Sequence, residues 1–142
     1  LDAKLKQICA RTDHPVHCLS NISPFVHGRP TVDTALDASI KAAANFAKYA
    51  LAQVKQLAKK APADMSSTYK DCVDFYENAL EGFGETLAAH PARDMGTMET
   101  QLSGVITWLS RCEDEFFEAG GPSPLTGYAN TLQSMTDDSL AI

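Results

Sequence analysis

The sequence predicts an all-α protein, an antiparallel up-and-down four-helix bundle preceded by a short N-terminal helical hairpin and stapled by two disulfides. Three observations predict it. Apolar residues recur at three- and four-residue steps along four segments, the helical period. Prolines fall between those segments or at their ends, and Gly120-Gly121-Pro122 closes the third. Four cysteines fall as two well-separated pairs, Cys9 with Cys18 and Cys72 with Cys112, in a chain without a strand signal. An even count of this kind points to disulfides and an oxidising compartment.

The 142 residues suit one domain with a sizeable core: a hairpin and linker over 1–31 and the bundle over 32–142. Residues 1–11 form a short helix with Leu1, Leu5 and Ile8 on one face, ended by Thr12, Asp13 and Pro15. Asp13 or His14 starts a second short helix with Pro15 in its first turn. Cys18 lies in that helix, so a Cys9–Cys18 bond clamps the hairpin. Residues 23–32, with Pro24, Gly28 and Pro30, read as a connection.

The first long helix spans about 33–60, with Leu36, Ile40, Ala43, Ala47, Leu51, Val54 and Leu57 on its stripe, Asp33 or Thr34 as cap and Pro62 as stop. The second spans about 63–89 on Met65, Tyr69, Cys72/Val73, Tyr76, Leu80, Phe83 and Leu87, and Pro91 begins the turn. The third spans about 92–118 on Met95, Met98, Leu102, Val105, Leu109, Cys112 and Phe116, and Gly120, Gly121 and Pro122 end it. A weaker fourth, about 124–142, carries Leu125, Ala129, Leu132 and Leu140. Short turns between such helices make them antiparallel neighbours, with shallow crossings near 20°. Cys72 and Cys112 lie nearly the same distance either side of the turn at Pro91, so antiparallel packing brings them level.

Composition excludes several functions. The formal charge of −6 argues against a nucleic-acid binder, and no apolar run approaches the eighteen or so residues of a membrane span. No leader opens the chain; a secreted protein would have lost one, so Leu1 is expected near a mature start. Asn21-Ile22-Ser23 is a glycosylation sequon. Cys9, His14, His17 and Cys18 offer nitrogen and sulfur donors, but their spacing fits no common zinc pattern and a disulfide would consume both thiols. No metal or cofactor is expected. Ser66 and Ser67 lie near no histidine in sequence, no nucleophile elbow or phosphate loop is present, and Glu81 and Glu85 read as solvated acids on an acidic helix. His27 and His90 fall in turns with no role assigned.

What remains is surface. Residues 64–118 hold twelve acids and three bases, a net −9, whereas 35–63 hold Asp37 against Lys41, Lys48, Lys55, Lys59 and Lys60, a net +4. Lys41, Lys48 and Lys55 step by seven and share a face. These are either ordinary solvated faces or a field that steers a basic partner onto the acidic helices. Phe75 and Trp108 fall off their core stripes, either packed under a neighbouring element or serving as interface anchors. Asp74, Asn78 and Glu81 on the second long helix and Glu99, Ser103, Thr107, Ser110, Arg111 and Asp114 on the third form polar rows. The groove between those rows, with Phe75 and Trp108, is the candidate contact surface.

Particular residues then match a family. Cys9, Thr12, Pro15, Cys18 and Leu19 resemble the opening motif of plant invertase and pectin methylesterase inhibitors. Cys72, Tyr76, Ala79 and Phe83, in YKDCVDFYENAL, resemble its central block, and RCEDEF at 111–116 its third. The resemblance runs in order along nearly the whole chain. It implies a four-helix bundle with an N-terminal hairpin and disulfides Cys9–Cys18 and Cys72–Cys112. It also implies a secreted, non-catalytic protein of the cell wall or apoplast that binds a carbohydrate enzyme, one to one. Esterase inhibitors cover the enzyme's substrate cleft with the second, third and fourth bundle helices. Invertase inhibitors insert a segment near the turn between the second and third, often Pro-Lys-Phe. Here that turn reads His90-Pro91-Ala92-Arg93-Asp94, which favours pectin methylesterase over acid invertase. Arg111 stands where several esterase inhibitors have threonine, making the face bulkier and locally basic. A helical binding or cargo module is the reading outside this class, and an apolar cavity between helices would favour it.

Overall fold

The structure, a computed structural model, describes residues 2–142; the expected place of Leu1 on the first helical face lies outside them. The described residues form six α-helices: α1 (Asp2–Cys9), α2 (Pro15–Ile22), α3 (Val32–Lys59), α4 (Ser66–Ala89), α5 (Met95–Glu118) and α6 (Thr126–Ala141). Single 3-10 turns at Ser23–Phe25 and Ala63–Met65 lead out of α2 and into α4. Among the described residues there is no strand.

Helices α3 to α6 form the bundle, each packed on its two neighbours with α3 and α5 on one diagonal. Contacts fix the antiparallel sense. Ser39 near the start of α3 and Ser139 near the end of α6 share a hydrogen bond of 2.8 Å. Tyr69 at the start of α4 meets Phe116 at the end of α5 edge-on, with centroids 5.1 Å apart. Cys72 and Cys112 are bonded across α4 and α5, their Cα atoms 5.1 Å apart. Cys9 and Cys18 close the hairpin, which buries Leu5, Ile8 and Ile22 against Ala35 and Ala38 of α3 in a second small core. Thr12 completes the turn by donating its hydroxyl to the Cys9 carbonyl at 2.7 Å.

Tyr76, Phe83, Phe116, Leu109, Ile40 and Leu132 fill the main core. Gly82 is there for space: a Cβ at this position would lie 2.9 Å from Val105 Cγ2, so the missing side chain lets α4 and α5 close together. The Tyr76 hydroxyl is buried with no hydrogen-bond partner among the described residues. A buried hydroxyl without a partner costs its desolvation, about 1–3 kcal/mol. Tyr76→Phe is therefore expected to leave stability unchanged or raise it by up to about 1 kcal/mol, read as a thermal midpoint no lower than that of the unmodified protein.

Several local expectations need correction. The α3 cap is Thr31, not Asp33 or Thr34: its hydroxyl accepts from the Thr34 amide at 3.0 Å while the Thr34 hydroxyl accepts from the Thr31 amide at 2.8 Å, a reciprocal capping box. Helix α5 starts at Met95, three residues later than the periodicity implies. Arg93 takes a left-handed backbone (φ 58°), and the Asp94 carboxylate then caps the helix by accepting from the Thr97 amide at 3.1 Å. Met95 consequently leaves the core and is 58% exposed, and Leu140 also lies at the surface. On α4 the buried line passes through Ala79 and Thr86, with Leu80 and Leu87 half-buried beside it. Gly120, at φ 85°, ends α5 as its position implied.

Candidate functional site

Helices α4 and α5 make the most extensive helix pair among the described residues, and Phe75 and Trp108, two of the candidate contact residues, meet across it. Phe75 of α4 and Trp108 of α5 stack across that seam, with centroids 5.8 Å apart and planes 22° apart. The Arg111 guanidinium lies 4.8 Å above the indole. A cation over an indole face is held by the ring quadrupole, and Arg111 makes none of the ion pairs among the described residues. Phe75 and Trp108 are half-buried against the core, while Arg111 is exposed. The off-stripe aromatics thus pack in part on the core and are in part exposed, with the Arg111 guanidinium beside them.

The polar rows are placed as follows. Asp74 and Glu81 are exposed along α4 with Asn78 half-buried between them, and Thr107, Ser110 and Asp114 are exposed along α5. The Thr107 hydroxyl donates to the Ser103 carbonyl at 3.3 Å. Glu99 and Ser103 face away from α4 and line a separate cleft of about 740 Å³ at one end of the bundle, between the start of α5 and the end of α6. Its apolar walls include Leu36, Met98 and Leu102, and exposed Met95 and Leu140 form part of its rim.

Two features escaped the sequence reading. The first is a carboxyl pair in the same seam. Burial, a hydrogen bond with Asp71 of α4 and the charges of Asp71 and Glu118 push Glu115 of α5 up to about 6. Asp71 precedes Phe75 by four residues and Glu115 follows Arg111 by four, one helical turn each, so the pair continues the line of the stack. The second is His90, to which no role had been assigned. It is buried, with Nε2 3.0 Å from Asp33 Oδ1 and Nδ1 3.6 Å from Asp37 Oδ1. Arg93 donates to the same Asp33 oxygen. The α4–α5 turn is thereby tied to the start of α3, and the Arg93 hydrogen bond, foremost, holds the Asp33 carboxyl below its usual range.

These groups give a pH dependence of stability. Asp138, buried on α6, is pushed up to about 6 by burial first, with Asp137 and Asp13 adding to the shift and His14 and His17 opposing it. For Glu115 and Asp138 the folded value exceeds the unfolded one, so folding binds protons. Their contribution is full below the ordinary values of 4.5 and 3.8 and is lost as pH rises through about 6. Asp33 and Asp94 have the opposite sign: their stabilisation is present above 3.8 and is lost as pH falls through their lowered values. The thermal midpoint is expected to peak at about pH 5 and to be lower at about pH 7. Glu115→Gln with Asp138→Asn should flatten that fall; an unaltered slope in the double variant would refute the assignment.

A family model described as plant invertase/pectin methylesterase inhibitor matches residues 3–142. The chain belongs to that family. No curated protein sequence matches it significantly. Two of the solved structures that share its fold are similar over nearly their whole length. One is a pectin methylesterase inhibitor from Arabidopsis thaliana, 17% identical with a TM-score of 0.71, the match covering 97% of this chain and 92% of that one. The other is a mutant form of an Arabidopsis pectin methylesterase inhibitor, 15% identical with a TM-score of 0.77, covering 97% and 93%. Among the described residues no three His, Cys, Asp or Glu side chains are grouped to hold a metal ion, and no helix is long and apolar enough to cross a membrane.

Proposed function

We propose that this chain inhibits a pectin methylesterase without catalysis of its own, seating the α4–α5 seam over the enzyme's substrate cleft, one inhibitor per enzyme. The observation that carries this reading is the Phe75–Trp108 stack capped by Arg111. Aromatic and arginine side chains dominate binding hot spots, and a stack already formed in the free protein loses little entropy on docking. The flanking acids supply a field that speeds encounter with a basic rim and weakens with salt. The contact set is Asp74, Phe75, Asn78, Glu81, Thr107, Trp108, Ser110, Arg111 and Asp114; Glu99 and Ser103, expected in it from the sequence, line the separate cleft instead. Secretion into the cell wall suits a chain whose four cysteines are all paired. Asn21, half-buried at the end of α2, is the glycosylation candidate.

The invertase reading is weaker on a specific observation. It needs the α4–α5 turn free to enter a partner, and here His90 and Arg93 are engaged with Asp33. Titrating the protein into a pectin methylesterase and an acid invertase decides the matter. Activity is expected to vanish at one equivalent in the esterase assay alone. Loss only in the invertase assay would reverse the target. Silence in both would leave a binding module, with the 740 Å³ cleft as its ligand site.

A further inference from the structure

The outer face of α3 carries no part of the proposed enzyme contact, and its composition is distinct. Every residue between 41 and 59 that is exposed on this helix is Lys41, Asn45, Lys48, Tyr49, Ala52, Lys55, Gln56 or Lys59. Four cations, two amides and a tyrosine follow one another without an acid, over about 27 Å of helix. Lys41 is bonded to Asp37 at 2.7 Å and Lys55 lies 3.7 Å from Glu77, but both are half-exposed surface pairs of the kind worth little, which an external anion can replace. Lys48 and Lys59 make none of the ion pairs among the described residues. In a protein of net charge −6, this row is a local reversal of sign.

Aromatic groups adjoin the row. Tyr49, 53% exposed, packs with Phe46 and with Tyr128 of α6 at centroid distances of 5.8 and 6.1 Å. Beside them opens a cavity of about 450 Å³, lined by Asn21, Asn45, Phe46 and Tyr49 among others. Ring faces take the C–H faces of sugars, amides take their hydroxyls, and a line of ammonium groups takes regularly spaced carboxylates. A phospholipid surface uses the charges but presents no run of sugar rings to the aromatic and amide wall, and a net charge of −6 disfavours a nucleic acid.

We infer that the α3 face binds a polyuronate chain, the de-esterified form of pectin. The choice of polymer rests on the proposed function: an esterase that removes methyl groups from pectin leaves a carboxylate at each site, so its product is a polyanion. Because α3 lies diagonally across the bundle from α5, the row from Lys41 to Lys59 is separated from Trp108 and Arg111 by the width of α4, and only Lys55, beside Glu77, approaches the enzyme-facing row of α4. One inhibitor can then hold to the product while it covers the enzyme, concentrating inhibition where de-esterification has already occurred.

Binding is measured without any enzyme, by affinity electrophoresis through gels containing polygalacturonate, fully methyl-esterified polygalacturonate or neutral dextran, and by sedimentation with vesicles of phosphatidylserine and phosphatidylcholine. All proteins carry Asn21→Gln so that a glycan at the cavity is not a variable. The expected result is retardation by polygalacturonate alone, fading as salt shortens the screening length. Lys48→Glu with Lys59→Glu should weaken binding about tenfold or more, and Tyr49→Ala by a smaller factor. Both variants should keep the thermal midpoint and the enzyme inhibition of the parent. Equal retardation by the methyl-esterified polymer, unchanged binding by the double variant, or equally tight binding to the vesicles would each overturn the inference. Because no esterase is present, failure here leaves the inhibitory reading standing, and failure of inhibition leaves the polymer result standing.

Discussion

Replacing Cys72 and Cys112 together with alanine is expected to lower the stability of this protein by about 4 kcal/mol. The bond closes a loop with thirty-nine residues between its ends, and in the chain-entropy model the constraint it places on the unfolded state grows with the logarithm of that length. The Cys9–Cys18 bond encloses eight residues and on the same model is worth about 2.5 kcal/mol. For a domain whose total stability is on the order of 5–15 kcal/mol, the first loss is a large fraction. It should appear as a fall of roughly 10 °C or more in the thermal midpoint. The second bond acts mainly on the hairpin, whose small core of Leu5, Ile8 and Ile22 would loosen first. Melts of the two double variants under non-reducing conditions check the order. Equal losses, or a larger one from the hairpin pair, would contradict the loop-length argument.

The long-range arrangement was legible because it rests on periodicity, which one sequence carries in full. The line from Met98 to Phe116 on α5 is buried as its 3-4 spacing implies, and the near-equal distance of Cys72 and Cys112 from the Pro91 turn anticipated their bond. Helix ends were less legible, because capping depends on backbone dihedrals that residue type only biases. Asp33 is a good capping residue, yet Thr31 caps α3, and Asp33 is engaged across the bundle by His90 and Arg93. Contact over a sequence separation of 57 residues leaves no periodic trace, so the sequence alone gives His90 no role beyond its turn. Met95 departs from its periodicity for a related reason: the left-handed turn at Arg93 delays α5 and leaves the first residue of its stripe beyond the packed region. At the candidate site, Phe75, Trp108 and Arg111 could be singled out because aromatics off a stripe are conspicuous. The Asp71–Glu115 pair could not, since acids on an acidic helix look alike until the neighbouring helix is in place.

Trp108→Ala is expected to weaken inhibition of the target esterase by about 2 kcal/mol, roughly thirtyfold. The indole links both partners of the site: Phe75 stacks on it and Arg111 lies over it, so its removal takes away contact area and frees two side chains that the stack had positioned. Arg111→Ala removes only the outer member and should weaken inhibition by about 1 kcal/mol, five- to tenfold, through loss of the cation and its contact. The pair separates binding from folding. Trp108 packs in part on the core, so its loss lowers the melting temperature as well. Arg111 is exposed and among the described residues makes no ion pair, so its loss should leave the melting temperature in place. Inhibition constants are compared well below both melts. If Arg111→Ala inhibits like the unmodified protein and Trp108→Ala follows its own loss of stability alone, the stack is structural and the enzyme is held elsewhere. If both constants rise while the Arg111→Ala melt is unchanged, the seam between α4 and α5 is the surface that closes the cleft.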